Sequence, residues 1–184
     1  MDTLKLLSQT FESTGRIVAG VRPDQMDAPT PCAEWDVRAL LKHAIGVIAG
    51  FAAAAAREES PGEPPTSGDN PKPAFDAAAR ATLDAWHRPG ALEGMCTIAH
   101  GITLPAQVAA GINFVDTLVH GWDLARATGQ DSSLDPELAI AALEISRQVV
   151  TDDIRASGSF APAVPVTDTA TPTEALVAFL GRQP

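Results

Sequence analysis

The sequence has little positive charge and few cysteines, and both shortages exclude classes of protein. Only 13 Lys and Arg residues stand against 23 Asp and Glu residues, which gives a formal net charge of −10. A nucleic acid or an anionic membrane surface would be repelled over most of such a surface, so neither is an expected partner. Two cysteines, Cys32 and Cys96, are too few for a disulfide scaffold in 184 residues, and we expect both to be reduced thiols.

The chain also lacks the usual signals for export and membrane insertion. Its start, MDTLKLLSQTFESTGRIVAG, has no basic segment followed by an apolar core, so a secretory signal is not expected. The longest apolar run, AIGVIAGFAAAAA, ends at Arg57 and is shorter than the roughly 18–20 residues that cross a bilayer. With 45% hydrophobic residues, the composition is that of an ordinary globular chain. We therefore expect a cytoplasmic protein with a single domain over residues 1–184.

Apolar side chains at helical spacing predict four long helices. These helices are expected over residues 2–20, 36–56, 73–87 and 106–127. Asp36 is placed to cap the second helix, and Gly129 can end the fourth in the left-handed conformation. The segment between the second and third helices is rich in proline and glycine and predicts a loop, whereas residues 90–105 fit either a small hairpin or an irregular crossover.

The C-terminal third predicts two further helices. One starts at Pro136 and runs to about Ile154, and a short last helix runs from Thr173 to Gly181, after an extended tail that begins at Ser157. The whole pattern favours an all-α fold, an up-and-down four-helix bundle with short extra elements and an extended C-terminal tail.

Three ionisable residues lie in an otherwise apolar helical stretch, FVDTLVHGWDLARATGQ, residues 114–130. Asp116, His120 and Asp123 are separated by steps of four and three, which places them on one helix face. Asp116 and His120, one turn apart, can both reach a single divalent metal ion. His43 lies on the apolar face of the second helix, so it points inward and is the natural third ligand.

A core histidine paired with a neighbouring carboxylate, without any metal, is the alternative interpretation. For each of these residues taken alone, it is the commoner situation. Three buried ionisable groups together would each cost several kcal/mol unless they are paired, and a metal offsets that cost directly. Spacing alone leaves both interpretations open.

Three segments resemble a known family. They are TPCAEWDVRALLKHAIG, NFVDTLVHGWDLARATGQ and the closing FAPAVPVTDTATPTEALVAFLGRQP. They resemble an actinobacterial family of metal-binding proteins related to the N-terminal domain of mycothiol-dependent maleylpyruvate isomerase, within the DinB-like superfamily. The resemblance covers nearly the whole chain. It implies a DinB-like four-helix bundle that holds a divalent metal, zinc or nickel, through His43, Asp116 and His120.

The chain departs from the isomerase in two respects. Asp116 stands where the isomerase uses a Glu, one methylene longer, and only a short tail follows residue 155 where the isomerase has a second domain. We therefore expect chemistry other than maleylpyruvate isomerisation itself. The resemblance is compatible with a homodimer.

The resulting hypothesis is a metal-dependent thiol transferase. Three protein ligands leave one coordination position open, where a metal lowers the pKa of a bound thiol or water. The thiol, of low molecular weight and mycothiol type, would attack a small electrophilic substrate, and hydrolysis by activated water is the related option. The alternative is a non-catalytic metal-binding or ligand-sensing module, for which a fourth protein ligand would close the metal site.

The roles of Asp123 and Arg182 stay open at this point. Asp123 fits either an acceptor that fixes His120 or a surface partner of Arg126. Arg182 fits either a contact to a substrate carboxylate or an exposed terminal residue.

Three other residues have expected places. Trp35 and Trp122 are expected to fill the core rather than to line a pocket. Cys32 is expected to have a structural role at the far end of its turn, away from the metal. The role of His100 stays open as well, and overhanging the metal as an acid or base is one option.

Overall fold

The computed structural model describes residues 2–32, 35–59, 70–156 and 160–184, and it does not describe the side chain of His100. The chain divides into two compact units, Met1–Asp131 and Ser132–Pro184, here called unit 1 and unit 2. Most of the predicted loop between the second and third helices lies outside the described residues. The expectation of a single domain stays a prediction.

Unit 1 contains the four predicted helices. They are α1 (Thr3–Ala19), α2 (Val37–Ala56), α3 (Lys72–Trp86) and α4 (Ala106–Thr128). Between α3 and α4, the strands β1 (Met95–Thr97) and β2 (Thr103–Pro105) pair antiparallel with Cys96 opposite Leu104. The hairpin alternative is therefore the correct one, and the all-α fold class is confirmed.

Helix ends follow local chemistry. The Asp36 carboxylate accepts a hydrogen bond from the backbone N–H of Ala39 at 2.7 Å, which satisfies one free donor at the start of α2. Gly129 has φ +68° and ends α4 in the left-handed conformation that glycine adopts without strain. Both caps lie where the sequence predicted them, so the bounds of α2 and α4 agree with the prediction to within one residue.

Helices α1 and α4 run in the same direction. The Thr14 hydroxyl of α1 donates to the backbone carbonyl of Thr117 in α4 at 3.3 Å. Further along both helices, the Gln130 amide just beyond α4 donates to the carbonyl of Ile17 at 3.0 Å. Because later residues of one helix contact later residues of the other, the two helices are parallel.

Helices α2 and α3 are parallel as well. The Thr82 hydroxyl of α3 donates to the carbonyl of Ile48 in α2 at 2.8 Å, and Arg57, just after α2, donates to the carbonyl of Ala91, just after α3, at 3.1 Å. Consecutive helices α2 and α3 therefore do not alternate in direction, as a simple up-and-down order would require. Arg57 itself adopts φ +61° as the left-handed residue that ends α2.

Among the described residues, one helix, α2, is long and apolar enough to cross a membrane, judged by length and composition alone. Half of its most apolar window is buried inside the protein, and the core helix of a soluble protein passes the same test. The composition is therefore a weak indication of a span. The expectation that the protein has no membrane partner stays a prediction.

Unit 2 contains α5 (Pro136–Val149), α6 (Asp152–Ala156) and α7 (Pro172–Phe179). The prediction that the helix starting at Pro136 reaches Ile154 is wrong, because α5 ends at Val149. Three consecutive β-branched residues, 149–151, lower helix propensity there, and Val150 leaves the helical region at φ −90° and ψ 80°. Helix α7 begins at a capping box in which Thr171 and Glu174 satisfy each other's backbone N–H groups.

The parallel contact between α1 and α4 depends on Gly121. A Cβ atom added there would lie 2.5 Å from the Oγ1 atom and 3.2 Å from the Cγ2 atom of Thr14. Thr14 is 3% exposed and β-branched, and its hydroxyl is held by its bond to α4, so it has little freedom to move away. Only a residue without a side chain allows this approach.

We expect Gly121→Ala to lower the free energy of unfolding by about 1–3 kcal/mol through overpacking. Gly15→Ala in α1 is the matched control, because its added Cβ would lie at an ordinary 3.4 Å from Phe75. That control should be as stable as the parent or more stable, since alanine favours helix by about 1 kcal/mol over glycine. Denaturant unfolding followed by circular dichroism measures both, and equal stability of the two variants would contradict the close-contact explanation.

Candidate metal centre

His43 of α2 meets Asp116 and His120 of α4 inside unit 1. One potential ligand atom from each residue lies within 4.8 Å of the other two. The Nε2 atom of His120 and the Oδ1 atom of Asp116 are 3.5 Å apart. Two ligands of one tetrahedral zinc ion lie about 3.3 Å apart, so this pair is already spaced for a shared ion. The structure thus brings together the three residues predicted from the sequence, and their role as metal ligands stays a prediction.

The helices position these side chains without help from loops. Asp116 and His120 lie one turn apart on α4, and His43 lies about two turns after the Asp36 cap of α2. The imidazole rings of His43 and His120 meet edge to face, with centroids 5.1 Å apart and an interplanar angle of 89°. Ligands carried on rigid helices keep their spacing, which favours a preorganised site.

Asp123 fixes the orientation of His120. The Nδ1 atom of His120 donates to the Oδ2 atom of Asp123 at 3.0 Å, and Asp123 is fully buried at 0% exposure. Of the two roles left open, acceptor for His120 is therefore the one observed. The guanidinium of Arg126 instead lies over the ring of Trp122, 5.4 Å from its centroid. With Nδ1 engaged in this way, Nε2 faces Asp116, and it is the nitrogen that would present a lone pair to a metal once the ring is neutral.

The surroundings shift the pKa values of the two histidines in opposite directions. Burial lowers the pKa of His43, His120 lowers it further, and Asp116 acts in the opposite sense. Burial also acts to lower the pKa of His120, but the charge and hydrogen bonds of its acidic neighbours, with a contribution from Cys32, raise it well above its ordinary value. The lowered pKa favours a neutral His43, and the carboxylates beside His120 attract a cation, which is a proton when no metal is bound.

Trp35 lines this site, contrary to the expectation that it fills the core. Its ring centroid lies 4.3 Å from that of His43 and 6.2 Å from that of His120, and the residue is half-buried. Trp122, at 3% exposure, fills the core as expected. A signal that could have placed Trp35 at the site is its position directly before the Asp36 cap, since α2 carries His43 about two turns after that cap.

Cys32 also lies at the site, so the expectation that it is remote is wrong. Its thiol donates to the Oδ2 atom of Asp123 at 3.3 Å, and Cys32, Asp123 and His120 form a second group of potential metal ligands within 4.8 Å. The expectation assumed a loop that leads away from the helix. Instead the backbone N–H of Trp35 donates to the carbonyl of Cys32 at 2.8 Å, and the Cys32 thiol reaches Asp123 of α4.

Two remaining candidates are not tested by the geometry. The side chain of His100 lies outside the described residues, so its role as an acid or base stays a prediction. Arg182 belongs to unit 2, where its Nη1 atom donates to the carbonyl of Leu180 at 3.2 Å. Its contact with a substrate carboxylate likewise stays a prediction.

Comparison with known proteins finds relatives over most of the chain. A family profile described as the mycothiol maleylpyruvate isomerase N-terminal domain matches residues 7–125. Two relatives from strains of Mycobacterium tuberculosis, described as Uncharacterized protein MT0763 and Uncharacterized protein Rv0738, are each 37% identical over 183 residues. The match covers 99% of this chain and 98% of each relative.

Solved structures of the mycothiol-dependent maleylpyruvate isomerase share the fold. The isomerase superposes with a TM-score of 0.60 at 17% identity, and a point mutant of it superposes with a TM-score of 0.62 at 15% identity. Each match covers 77% of this chain and 66% of the isomerase chain. The DinB-like all-α fold class and the relation to this isomerase, both inferred from the sequence motifs, are confirmed.

We expect Asp123→Asn to weaken binding of Zn²⁺ about 10–100-fold, because a neutral amide holds the imidazole of His120 less firmly than a carboxylate does. The measurement is a competition titration with a chromophoric chelator at mildly alkaline pH, where protons compete least with the metal. Asp24→Asn is the control, since Asp24 is exposed and pairs with Arg22 away from the site. Unchanged affinity of Asp123→Asn would show that Asp123 does not position a metal ligand.

Proposed function

Because the chain belongs to the family of the mycothiol maleylpyruvate isomerase N-terminal domain, we propose that it is a metal-dependent enzyme that transfers a low-molecular-weight thiol to a small electrophilic substrate. The thiol is of mycothiol type, as the family name indicates. One observation carries the proposal: His43, Asp116 and His120 converge within 4.8 Å in a member of a family related to thiol-dependent enzymes.

The donor set fits a divalent metal such as zinc or nickel. Two imidazole nitrogens and one carboxylate oxygen are one of the common sets of three protein ligands at catalytic zinc sites, which keep a fourth position open. The side chain of Asp116 is 25% exposed and that of His120 is 10% exposed, so the set is reachable from solvent. When bound, the metal would stabilise a thiol as thiolate at neutral pH.

The protein's own residues orient and shield this chemistry. Asp123 holds the ring of His120, and the ring of Trp35 covers His43 and keeps water from that side. The thiol sulfur supplies the electron pair for the new bond to an electrophilic carbon, and its proton leaves to solvent. In an addition reaction, an electron pair of the substrate moves to a neighbouring acceptor atom. In a substitution reaction, it departs with the leaving group.

A non-catalytic metal-binding or ligand-sensing module is the alternative. A structural zinc site has four protein ligands. Within the described part of the chain, His43, Asp116 and His120 form a group of three potential ligands. Three ligands leave a coordination position for a substrate or thiol, which favours the enzyme over the non-catalytic module. Cys32 contacts Asp123, the residue that holds the other ring nitrogen, and so does not close this group.

We expect the protein, loaded with zinc or nickel, to conjugate mycothiol to a generic electrophile such as chlorodinitrobenzene. Chelation of the metal, or His120→Ala, should reduce turnover to the uncatalysed rate, because the thiol would no longer be held as thiolate. The measurement is absorbance of the conjugate in the presence of each metal.

His87→Gln is the control for histidine loss, since His87 is exposed at the end of α3, where its Nδ1–H donates to the carbonyl of Leu83. Its turnover should equal that of the parent. Metal-loaded protein that gives no turnover with any thiol would support the non-catalytic module, and turnover that survives chelation would contradict the metal's role.

A further inference from the structure

His120 offers each of its two ring nitrogens to a different set of potential ligands. Nε2 faces Asp116 Oδ1 at 3.5 Å, and with His43 these form the set described above, here called the His43 set. Nδ1 faces Asp123 Oδ2 at 3.0 Å, and Cys32 Sγ lies 3.3 Å from that same oxygen. Cys32, Asp123 and Nδ1 of His120 are here called the Cys32 set.

We propose that the chain has a second metal-binding mode, in which the Cys32 set takes up a thiophilic divalent cation such as Cd²⁺, and that this mode excludes occupation of the His43 set. The proposal does not rest on the proposed enzymatic function. It concerns which metals the site accepts and which side of His120 they occupy.

The spacing of the Cys32 set suits a metal without a large rearrangement. The oxygen of Asp123 lies 3.0 Å from the imidazole nitrogen and 3.3 Å from the sulfur. Around a tetrahedral ion, with about 2.3 Å to sulfur and about 2.0 Å to nitrogen or oxygen, such neighbours lie about 3.3–3.5 Å apart. These two distances therefore need a shift of only a few tenths of an ångström, and the third, from the sulfur of Cys32 to the imidazole of His120, is within 4.8 Å.

Charge and exposure also favour a cation on this side of His120. The carboxylate of Asp123 is fully buried, so a metal ion would neutralise a charge that is costly to keep in the core. Cys32 is half-buried and lies before α2 in the chain, which gives an ion a route in from solvent. The backbone of Cys32 is held by the hydrogen bond that its carbonyl accepts from the N–H of Trp35.

The two sets differ in the metals they select. The Cys32 set contributes a thiolate, a soft ligand that favours thiophilic metals, whereas the His43 set contains only nitrogen and oxygen donors. A soft cation such as Cd²⁺ should therefore choose Nδ1, and a harder cation should choose Nε2.

Exclusion follows from the chemistry of imidazole. A neutral ring has one nitrogen with a lone pair and one that carries a proton. A metal on Nε2 leaves the proton on Nδ1, which donates it to Asp123; a metal on Nδ1 leaves the proton on Nε2, which faces Asp116. In the metal-free protein the ring of His120 carries a proton on each nitrogen. Uptake by the Cys32 set releases the Nδ1 proton and the thiol proton to solvent and leaves the proton on Nε2, so two protons are released per metal bound.

The test titrates metal-free protein with Cd²⁺ and follows the ultraviolet charge-transfer band from thiolate to cadmium. We expect a band that saturates at one Cd²⁺ per chain. It should disappear in Cys32→Ser and persist in Cys96→Ser, the matched control, since Cys96 is buried in β1 at 3% exposure. It should also persist in His43→Gln, because that residue belongs to the other set.

Each other outcome overturns the proposal. Absence of the band, or its survival in Cys32→Ser, would remove Cys32 as a ligand. Loss of the band in His43→Gln would make Cys32 a fourth ligand of the His43 set. Two Cd²⁺ per chain would disprove exclusion. None of these outcomes depends on enzymatic turnover, so they leave the proposed function to its own test.

A second measurement uses the unmodified protein and so does not depend on any variant folding. Cd²⁺ should protect Cys32 from alkylation by iodoacetamide, as measured by mass spectrometry of its peptide, whereas Mg²⁺, which prefers oxygen ligands, should not. Equal alkylation of Cys32 with and without Cd²⁺ would overturn the proposal.

Discussion

The hydrogen bond from His120 to the buried carboxylate of Asp123 is the interaction on which the rest of the site depends. It joins two residues of one helix, three positions apart, so the helix geometry alone sets its length. It fixes the ring plane, assigns one nitrogen to Asp123 and turns the other toward Asp116 and His43. Without it, the imidazole could rotate, and the spacing that suits a metal ion would be lost.

The packing of unit 1 keeps that helix in place. Gly121, the neighbour of His120, allows α1 to approach α4 until the Thr14 hydroxyl reaches a backbone carbonyl one turn earlier in α4. The contact between α1 and α4 at Gly121 and Thr14 thus holds α4 in place, although neither residue belongs to the site. Stability and site geometry are coupled here, because a displaced α4 would carry Asp116 and His120 away from His43 on α2.

The sequence predicts the helices and the convergence of His43, Asp116 and His120, because both depend on local periodicity. One-turn spacing on α4 and an inward position on α2 are properties of each helix by itself, and they hold whatever the connections do. The direction of α3 relative to α2 is a different matter, since a long connection is compatible with either direction. The end of α5 at Val149 was missed because a short run of β-branched residues outweighs the apolar pattern around it.

The positions of Cys32 and Trp35 at the site could not be predicted from sequence spacing, because both residues precede α2 and have no helical periodicity to place them. Eleven positions separate Cys32 from His43 in the chain, and this number is compatible with many distances in space. In the structure the Cys32 carbonyl accepts a hydrogen bond from the Trp35 N–H, the Trp35 indole lies against His43, and the Cys32 thiol lies beside the carboxylate that orients His120. The helices therefore carry the side chains that periodicity predicts, whereas the loop before α2 carries the residues that distinguish this site from any other pair of histidines between helices. Selectivity for metal and substrate should accordingly change with that loop more readily than with the bundle.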